Sequence, residues 1–233
     1  MKCLLLASGF GTRSYPVTVN LAKGLLPYQG KPVISHLVEK IPEEIRIHVT
    51  TNRRYESQFQ NWQKTLGRNV ALCVEPVFNE RQSFGAVGSL EYWVKTNEVC
   101  DDLIVFASDN YFESDIREFI LSFDGLHTLV AVYDVTNRAD AQQFGVVKLS
   151  GKKVVELVEK PAEPKSSLVA TACYIFPSRV LSLLSEYCSR GRKDNLGEFI
   201  AHLIRCDEVH AHLFKGGWFD VGDALARQKK ELG

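Results

Sequence analysis

The chain lacks the features that mark proteins of membranes and of nucleic acid. Its 28 Lys and Arg residues balance 28 Asp and Glu residues, so no net positive charge favours nucleic acid or an anionic membrane. No apolar run reaches the roughly 18 residues of a membrane helix, and the first residues predict a strand rather than a secretory leader. We therefore expect a cytoplasmic protein that binds a small ligand, with no nucleic-acid or membrane partner.

Closely paired cysteines are also absent. The six cysteines lie far apart, without a C-x-x-C pair, and several fall in apolar segments. This pattern predicts reduced thiols in the core.

Two common phosphate-binding loops are missing as well. The segment Gly9-Phe10-Gly11 follows an apolar run, but a dinucleotide-binding G-x-G-x-x-G loop needs a third glycine where Ser14 stands. A Walker loop needs Gly-Lys-Ser or Gly-Lys-Thr, and neither occurs. These absences argue against hydride transfer and exclude an ATPase of the Walker class.

The N-terminal segment contains a loop suited to binding phosphate. The apolar run 3–7 leads into Ser8-Gly9-Phe10-Gly11-Thr12-Arg13, and Lys23 follows. Glycines let backbone N–H groups approach an anion closely, and the two cations add full positive charges. The loop therefore predicts a phosphate site, with a plain tight turn as the alternative.

Short aliphatic segments alternate with longer amphipathic ones, which is typical of a sheet covered by helices. We predict strands over 2–7, 46–50, 70–74, 103–107 and 128–133, and helices over 33–40, 55–66, 86–95 and 114–123. After about residue 137 a hairpin is predicted over 145–159, then a strand over 168–176, helices over 177–189 and 196–205, and further strands and a helix over 208–232. We expect one α/β domain over residues 1–233, doubly wound, mostly parallel and Rossmann-like, with a small β-rich part.

Charged residues follow several predicted strands, at the edge where open α/β sheets bind ligands. Asp109 follows the strand over 103–107, Glu159 and Lys160 end the hairpin, and Asp220 lies in a later short strand. Two carboxylates from separate strands can hold Mg²⁺ and leave positions for phosphate. The local alternatives are a helix cap for Asp109, a solvated turn for Lys160 and a turn former before Gly222 for Asp220. Their occurrence together with the glycine loop favours a site.

These segments resemble the sugar-1-phosphate nucleotidyltransferases, or NDP-sugar pyrophosphorylases, and above all the glucose-1-phosphate thymidylyltransferases. The family's opening segments, A-G-G-x-G-T-R-L-x-P-x-T and P-K-x-L-L-P, resemble residues 7–18 and 22–27. Its G-T-A-G-S-L, G-D-N, F-G-V-V, E-K-P, P-K-S and W-x-D-x-G segments resemble residues 85–90, 108–110, 144–147, 159–161, 164–166 and 218–222, in the same order. The resemblance covers nearly the whole chain.

The resemblance implies Mg²⁺-dependent transfer of a nucleotidyl group from an NTP to a sugar 1-phosphate. Residues 1–136 become a nucleotide-binding half and residues 137–233 a sugar-binding half. It assigns to the nucleotide Ala7, Ser8, Gly9, Gly11, Thr12, Arg13, Gln82 and Gly85. It assigns to the sugar phosphate Asn110, Gly145, Glu159, Lys160 and Thr171, to the metal Asp109 and Asp220, and to charge neutralisation in catalysis Arg13, Lys23 and Lys160.

Departures from the family segments leave the base and the sugar open; they are Ser8, Ser14, Ala22, Ala86, Ser108 and Ala172. Either Glu75 or Gln82 stands in for the family's base-reading glutamine, and an amide favours Gln82. One alternative function is a cytidylyltransferase acting on phosphocholine or a similar alcohol phosphate. Another is a non-catalytic nucleotide-sugar sensor or regulatory subunit.

Four further expectations concern the rest of the chain. His210 and His212 have the spacing of one strand face, but no third metal ligand is evident nearby, so we interpret them as surface histidines. The charged run 190–194 is interpreted as a solvated loop. We also expect a homodimer and, because the sequence stops soon after Asp220, no second catalytic domain.

Overall fold

A nine-stranded mixed sheet runs through the computed structural model, which describes residues 1–14, 18–191 and 193–221, without the side chain of Arg13. The strands are β1 (Lys2–Leu6), β2 (Pro27–Tyr28), β3 (Lys31–Pro32), β4 (Arg46–Asn52), β5 (Val70–Glu75), β6 (Leu103–Ala107), β7 (Asn110–Phe112), β8 (Thr128–Asp134), β9 (Gly145–Ser150), β10 (Lys153–Glu159), β11 (Leu168–Phe176), β12 (Val209–Leu213) and β13 (Trp218–Asp220). The helices are α1 (Val33–Lys40), α2 (Glu56–Gln63), α3 (Gly85–Thr96), α4 (Ile116–Leu121), α5 (Arg138–Ala141), α6 (Val180–Ser189) and α7 (Leu196–Cys206).

The order of strands in the large sheet is β5-β4-β1-β6-β11-β8-β12-β10-β9, and β9 also pairs with β11. Strands β5, β4, β1 and β6 are parallel, as are β8 and β12. The other pairings are antiparallel. The predicted α/β architecture is found, but the sheet is mixed rather than mostly parallel, because β11 is inserted antiparallel between β6 and β8 and because β9 and β10 form a hairpin.

Two apolar cores lie on opposite faces of this sheet. On β1, Cys3 and Leu5 contribute to the core that includes the helices α1, α2 and α4, while Leu4 contributes to the core of α3, α6 and α7. Burial on both faces explains why the strand reads as a continuous apolar run in the sequence. The central strands thereby fix the positions of the loops that follow them.

The strands and helices predicted up to residue 206 are found, with differences of a few residues at their ends. The short strands β2, β3 and β7 were not predicted, because two or three residues carry no readable periodicity, whereas β13 is the short strand predicted around Asp220. The helix expected at the C-terminus, with Gly222, lies outside the described residues. The six cysteines are free thiols, and no helix in the described part of the chain has the length and apolarity to cross a bilayer.

Candidate active site

A cavity of about 620 Å³ opens at the carboxyl ends of β1 and β6. One wall consists of the glycine loop after β1, the start of α3 and the loop after β6. The other consists of the start of β9, the end of β10, part of β11 and the first turn of α7. This is the edge of an open α/β sheet where ligands bind.

A lysine lies between two carboxylates at the rim of this cavity. The Nζ atom of Lys23 is 2.6 Å from Oδ2 of Asp109 and 2.9 Å from Oδ2 of Asp220. Burial alone lowers the pKa of Lys23, but the two carboxylates outweigh it and raise that pKa above its ordinary value. The ammonium therefore stays charged and neutralises part of the negative charge at this point.

The pairing of β7 with β13 brings the two aspartates together. Asp220 is opposite Asn110 in this antiparallel pair, and the backbone N–H of Val221 donates to the carbonyl of Asp109 at 2.9 Å. Asp109 does not cap a helix, because the cap of α4 is Asp115, whose carboxylate accepts from the backbone N–H of Arg117. Two carboxylate oxygens that converge on one cation are a donor set that suits a hard divalent ion.

The glycine loop is held from behind by buried polar groups. The side chain of Asn52 donates to the carbonyl of Ser8 at 2.8 Å, and the hydroxyl of Ser8 donates to Glu75, which is 1% exposed. Burial raises the pKa of Glu75, and hydrogen bonds from Ser8 and Ser89 only partly oppose that rise. A Cβ at Gly9 would meet nothing within 4 Å, so the backbone there is open to a ligand.

The opposite wall holds a carboxylate against the backbone. A Cβ at Gly197 would lie 1.6 Å from Oε1 of Glu159, and one at Gly145 would lie 2.9 Å from the same atom. The two glycines therefore make the space in which the Glu159 carboxylate lies. The next residue, Lys160, has a φ of 45°, and its N–H donates to the carbonyl of Phe144 at 3.0 Å.

Comparison with known proteins decides the family. The family model described as nucleotidyl transferase matches residues 2–229. The chain belongs to the nucleotidyl transferase family. It is 30% identical over 229 residues to the bifunctional protein GlmU of Methanocaldococcus jannaschii, an alignment that covers 95% of this chain and 51% of that protein. The chain spans about half the length of the curated relatives it matches.

Solved structures give the same result for this nucleotidyl transferase. A provisionally assigned glucose-1-phosphate thymidylyltransferase from Bacillus anthracis, in complex with sucrose, superimposes with a TM-score of 0.84 at 25% identity, covering 100% of this chain and 94% of that one. A UDP-glucose pyrophosphorylase complexed with UDP-glucose gives a TM-score of 0.76 at 19% identity, with 100% and 99% covered, which shows the fold. The resemblance to the sugar-1-phosphate nucleotidyltransferases and the α/β nucleotidyltransferase fold are confirmed.

Most of the residues predicted for the site of this nucleotidyl transferase line one cavity. They are Ala7, Ser8, Gly9, Gly11, Lys23, Gly85, Asp109, Gly145, Glu159 and Lys160. Asp220 joins them through its ion pair with Lys23. Arg13 belongs to a 3-10 turn over Thr12–Ser14, and its side chain lies outside the described part.

Two residues predicted to bind the nucleotide do not line the cavity. The hydroxyl of Thr12 donates to Glu80 at 2.5 Å. The amide oxygen of Gln82 accepts from the backbone of Phe78 at 3.0 Å and from Asn79 at 3.1 Å. In both cases the side chain is hydrogen-bonded to the loop 78–82. The position of this loop could not be predicted from the sequence. The other candidate for reading the base, Glu75, lies behind Ser8.

Two residues predicted to bind the sugar phosphate do not line the cavity. Thr171 is fully buried and donates to the carbonyl of Ala131 at 3.1 Å, because the alternation of β11 directs its neighbours Ala170 and Ala172 into the cavity and Thr171 to the other face. The side chain of Asn110 is also buried and accepts from Nε1 of Trp218 at 2.7 Å, which ties β13 to β7.

The first turn of α7 was missed as part of the site. Asp194, Asn195, Leu196 and Glu198 line the cavity. The carbonyl of Asp194 accepts from the backbone N–H of Ala86 at 2.9 Å, so the expected loop, whose described residues are exposed, is also bound to the start of α3. The spacing Asn195-x-x-Glu198 before an apolar run is a helix-start signal, but it does not reveal which cavity the helix faces.

Proposed function

We propose that this nucleotidyl transferase moves a nucleotidyl group from an NTP to a sugar 1-phosphate, giving an NDP-sugar and pyrophosphate. The observation that carries the proposal is one cavity with two charged sites. Lys23 lies between Asp109 and Asp220 on one side, and Glu159 and Lys160 lie on the other. Such a cavity offers cations for phosphates together with a carboxylate for hydroxyl groups.

The reaction calls for neutralisation of charge rather than for a general base. A sugar 1-phosphate is already largely ionised at neutral pH, because its second pKa is about 6. The main obstacle is the repulsion between this anion and the phosphates of the NTP. Lysines held in place before the substrates bind lower that repulsion in the transition state.

We propose that Lys23 and Arg13 bind the phosphates of the nucleotide, and that Lys160 binds the phosphate of the sugar. Glu159, which lies against the backbone of Gly145, accepts hydrogen bonds from hydroxyl groups of the sugar. The loop over Ser8, Gly9 and Gly11 offers backbone N–H groups to the nucleotide.

Asp109 and Asp220 fit a divalent cation, which we propose is Mg²⁺, because two oxygens from separate strands already converge on one positive charge. When bound, such an ion supplies charge neutralisation and orients phosphate oxygens. Lys23 and the ion would compete for the same two carboxylates, so the balance between them would depend on the ion concentration.

The test is a substrate panel. The protein is incubated with Mg²⁺, each of dTTP, UTP, CTP, GTP and ATP, and a set of sugar 1-phosphates plus phosphocholine, and pyrophosphate release is measured. We expect release with a sugar 1-phosphate, lost in Asp109→Asn and kept in Asp115→Asn, where the replaced aspartate caps α4 away from the cavity.

The panel also separates the alternatives. Release with phosphocholine alone would replace the proposal with an alcohol-phosphate cytidylyltransferase. Nucleotide binding without release from any pair would contradict an enzyme and favour a nucleotide-sugar sensor. The homodimer and the cytoplasmic location stay predictions.

A further inference from the structure

A second cluster of chemically active side chains lies away from the cavity. Asp124, His127 and His210 each offer one ligand atom, and these atoms lie within 4.8 Å of one another. Asp124 and His127 precede β8, and His210 is the second residue of β12, which is parallel to β8. Both β6 and β8 are antiparallel to β11, so the start of β8 is at the end of the sheet opposite the cavity.

The carboxylate of Asp124 is oriented by its own turn. Its Oδ1 atom accepts from the backbone N–H groups of Leu126 and His127, both at 2.9 Å. The other oxygen, Oδ2, lies 2.8 Å from Nδ1 of His127 and 3.4 Å from Nδ1 of His210. One carboxylate oxygen and two imidazole nitrogens are therefore directed at one another before any ligand binds.

The second nitrogen of His210 is held by another carboxylate. Its Nε2 atom lies 2.8 Å from Oε1 of Glu208, and Glu208 is also paired with Lys153 at 3.2 Å. A carboxylate on the outer nitrogen fixes the tautomer of a metal-binding histidine and leaves the other nitrogen to accept a metal. Glu208 thus orients Nδ1 of His210 toward Asp124.

The surroundings suit a charged ligand that enters from solvent. His210 is 5% exposed, whereas Asp124 lies at the surface, so the cluster is buried at His210 and accessible to solvent at Asp124. Burial alone raises the pKa of Asp124, but hydrogen bonds from His127 and Leu126 outweigh it and hold that pKa below its ordinary value. The carboxylate is therefore ionised at neutral pH.

We propose that Asp124, His127 and His210 bind a divalent transition-metal ion, with Zn²⁺ as the best match, and that Glu208 positions His210. Two imidazoles with one carboxylate are ligands of zinc, whereas Mg²⁺ prefers oxygen ligands alone. The two ligands that the sequence did not reveal, Asp124 and His127, come from the turn before β8. His212 is not part of the site, since its Nδ1 atom lies 3.0 Å from the hydroxyl of Ser122.

The bound ion would join the turn before β8 to the start of β12. Since the site is remote from the cavity, its effect is on stability and not on the reaction. An ion that binds only the folded chain raises the midpoint of thermal unfolding as its concentration exceeds the dissociation constant.

The test is metal binding measured by calorimetry and thermal unfolding on the metal-free protein, with Zn²⁺, Co²⁺ and Mg²⁺ as separate probes. We expect one Zn²⁺ per chain, a higher unfolding midpoint with Zn²⁺, and no binding of Mg²⁺ by the cluster. His127→Gln and Asp124→Asn should weaken binding by at least about 100-fold, and Glu208→Gln by about 10-fold, as expected for a residue that orients a ligand. His212→Gln, on the same strand, is the matched control and should bind Zn²⁺ like the unchanged protein.

Asp124→Asn keeps the oxygen that closes the turn, and the unfolding midpoint of each metal-free variant shows that it folds. Two results would overturn the proposal. One is the absence of saturable Zn²⁺ binding in the micromolar range, which would mean that the cluster is only a hydrogen-bond network. The other is binding that survives His127→Gln, or a thiolate charge-transfer band with Co²⁺, which would assign the ion to the exposed Cys100 or Cys206.

Discussion

The two sides of the cavity are built by different means. On the proposed nucleotide side, the ammonium of Lys23 is paired with the carboxylates of Asp109 and Asp220. On the proposed sugar side, Glu159 is fitted against backbone at Gly145 and Gly197, where no side chain has room. The first wall is therefore held together by electrostatic attraction, and the second depends on the absence of Cβ atoms at two glycines. Substitutions can therefore be chosen that damage one wall and spare the other.

The largest effect is expected from Lys23→Met, which removes the ammonium and keeps the length of the side chain. Pyrophosphate release should fall by about 10² to 10³-fold, the usual cost of losing a group that stabilises transition-state charge. Because the two aspartates then lack their counter-ion, Mg²⁺ should raise the unfolding midpoint of the variant more than that of the unchanged protein.

Lys31→Met is the control for that substitution, because Lys31 is paired with Glu39 at the surface. It should leave turnover and the Mg²⁺ effect within about twofold, as for surface substitutions in general. If Mg²⁺ stabilised Lys23→Met and the unchanged protein equally, the ion would not compete with Lys23 for the two carboxylates.

The next effect concerns the sugar wall. In Gly197→Ala, the new Cβ would meet Oε1 of Glu159 at 1.6 Å, so the carboxylate has to move. We expect KM for the sugar 1-phosphate to rise by about 10-fold and stability to fall by about 1–3 kcal/mol, the range for overpacking. Steady-state kinetics and urea unfolding measure the two changes. An unchanged KM would show that the position of Glu159 does not matter for the sugar.

A smaller effect is expected from Glu75→Gln behind the glycine loop. The pKa of Glu75 is raised in the folded chain, so the protonated form is favoured there and its contribution to stability is present below the unfolded pKa. That contribution is lost as pH rises through the folded pKa. Glutamine stays neutral and still accepts from Ser8, so the variant should gain in relative stability between about pH 4 and about pH 8. Parallel unfolding curves at both pH values would contradict this.

The smallest effect is expected from Gly9→Ala, the counterpart of Gly197→Ala on the nucleotide wall. No atom lies within 4 Å of the added Cβ, so stability should change by less than about 0.5 kcal/mol. A methyl group in the path of the nucleotide should nevertheless raise KM for the NTP and leave KM for the sugar 1-phosphate unchanged. A large loss of stability would remove the contrast between the two walls.

Much of the fold could be predicted from the sequence, because the central strands are buried on both faces and appear as apolar runs. Asp109 was predictable for the same reason: it lies just beyond β6, and the carboxyl ends of parallel strands share one edge. Glu159 and Lys160 were predicted at the end of a strand too, but β10 runs opposite to β6, and they reach the cavity because Glu159 is paired with Gly145 at the start of β9.

The rest depends on pairings between distant segments. The alternation of β11 brings Ala170 and Ala172, and not Thr171, to the cavity, and which face of β11 meets the cavity depends on its neighbours β6 and β8. The partners of His210 come from the turn before β8, which only the parallel pairing of β12 with β8 brings close. Such contacts follow from strand order, which local patterns do not contain.

The position of β11 in the sheet constrains how the chain folds during synthesis. It lies between β6 and β8, so β8, although synthesised earlier, cannot complete its place in the sheet until residue 176 has left the ribosome. A nascent chain that ends at residue 136 carries β6 and β8 with no strand to join them, and both have unpaired backbone groups. The nucleotide-binding and sugar-binding halves are thus separate in their proposed tasks but must acquire their structure together.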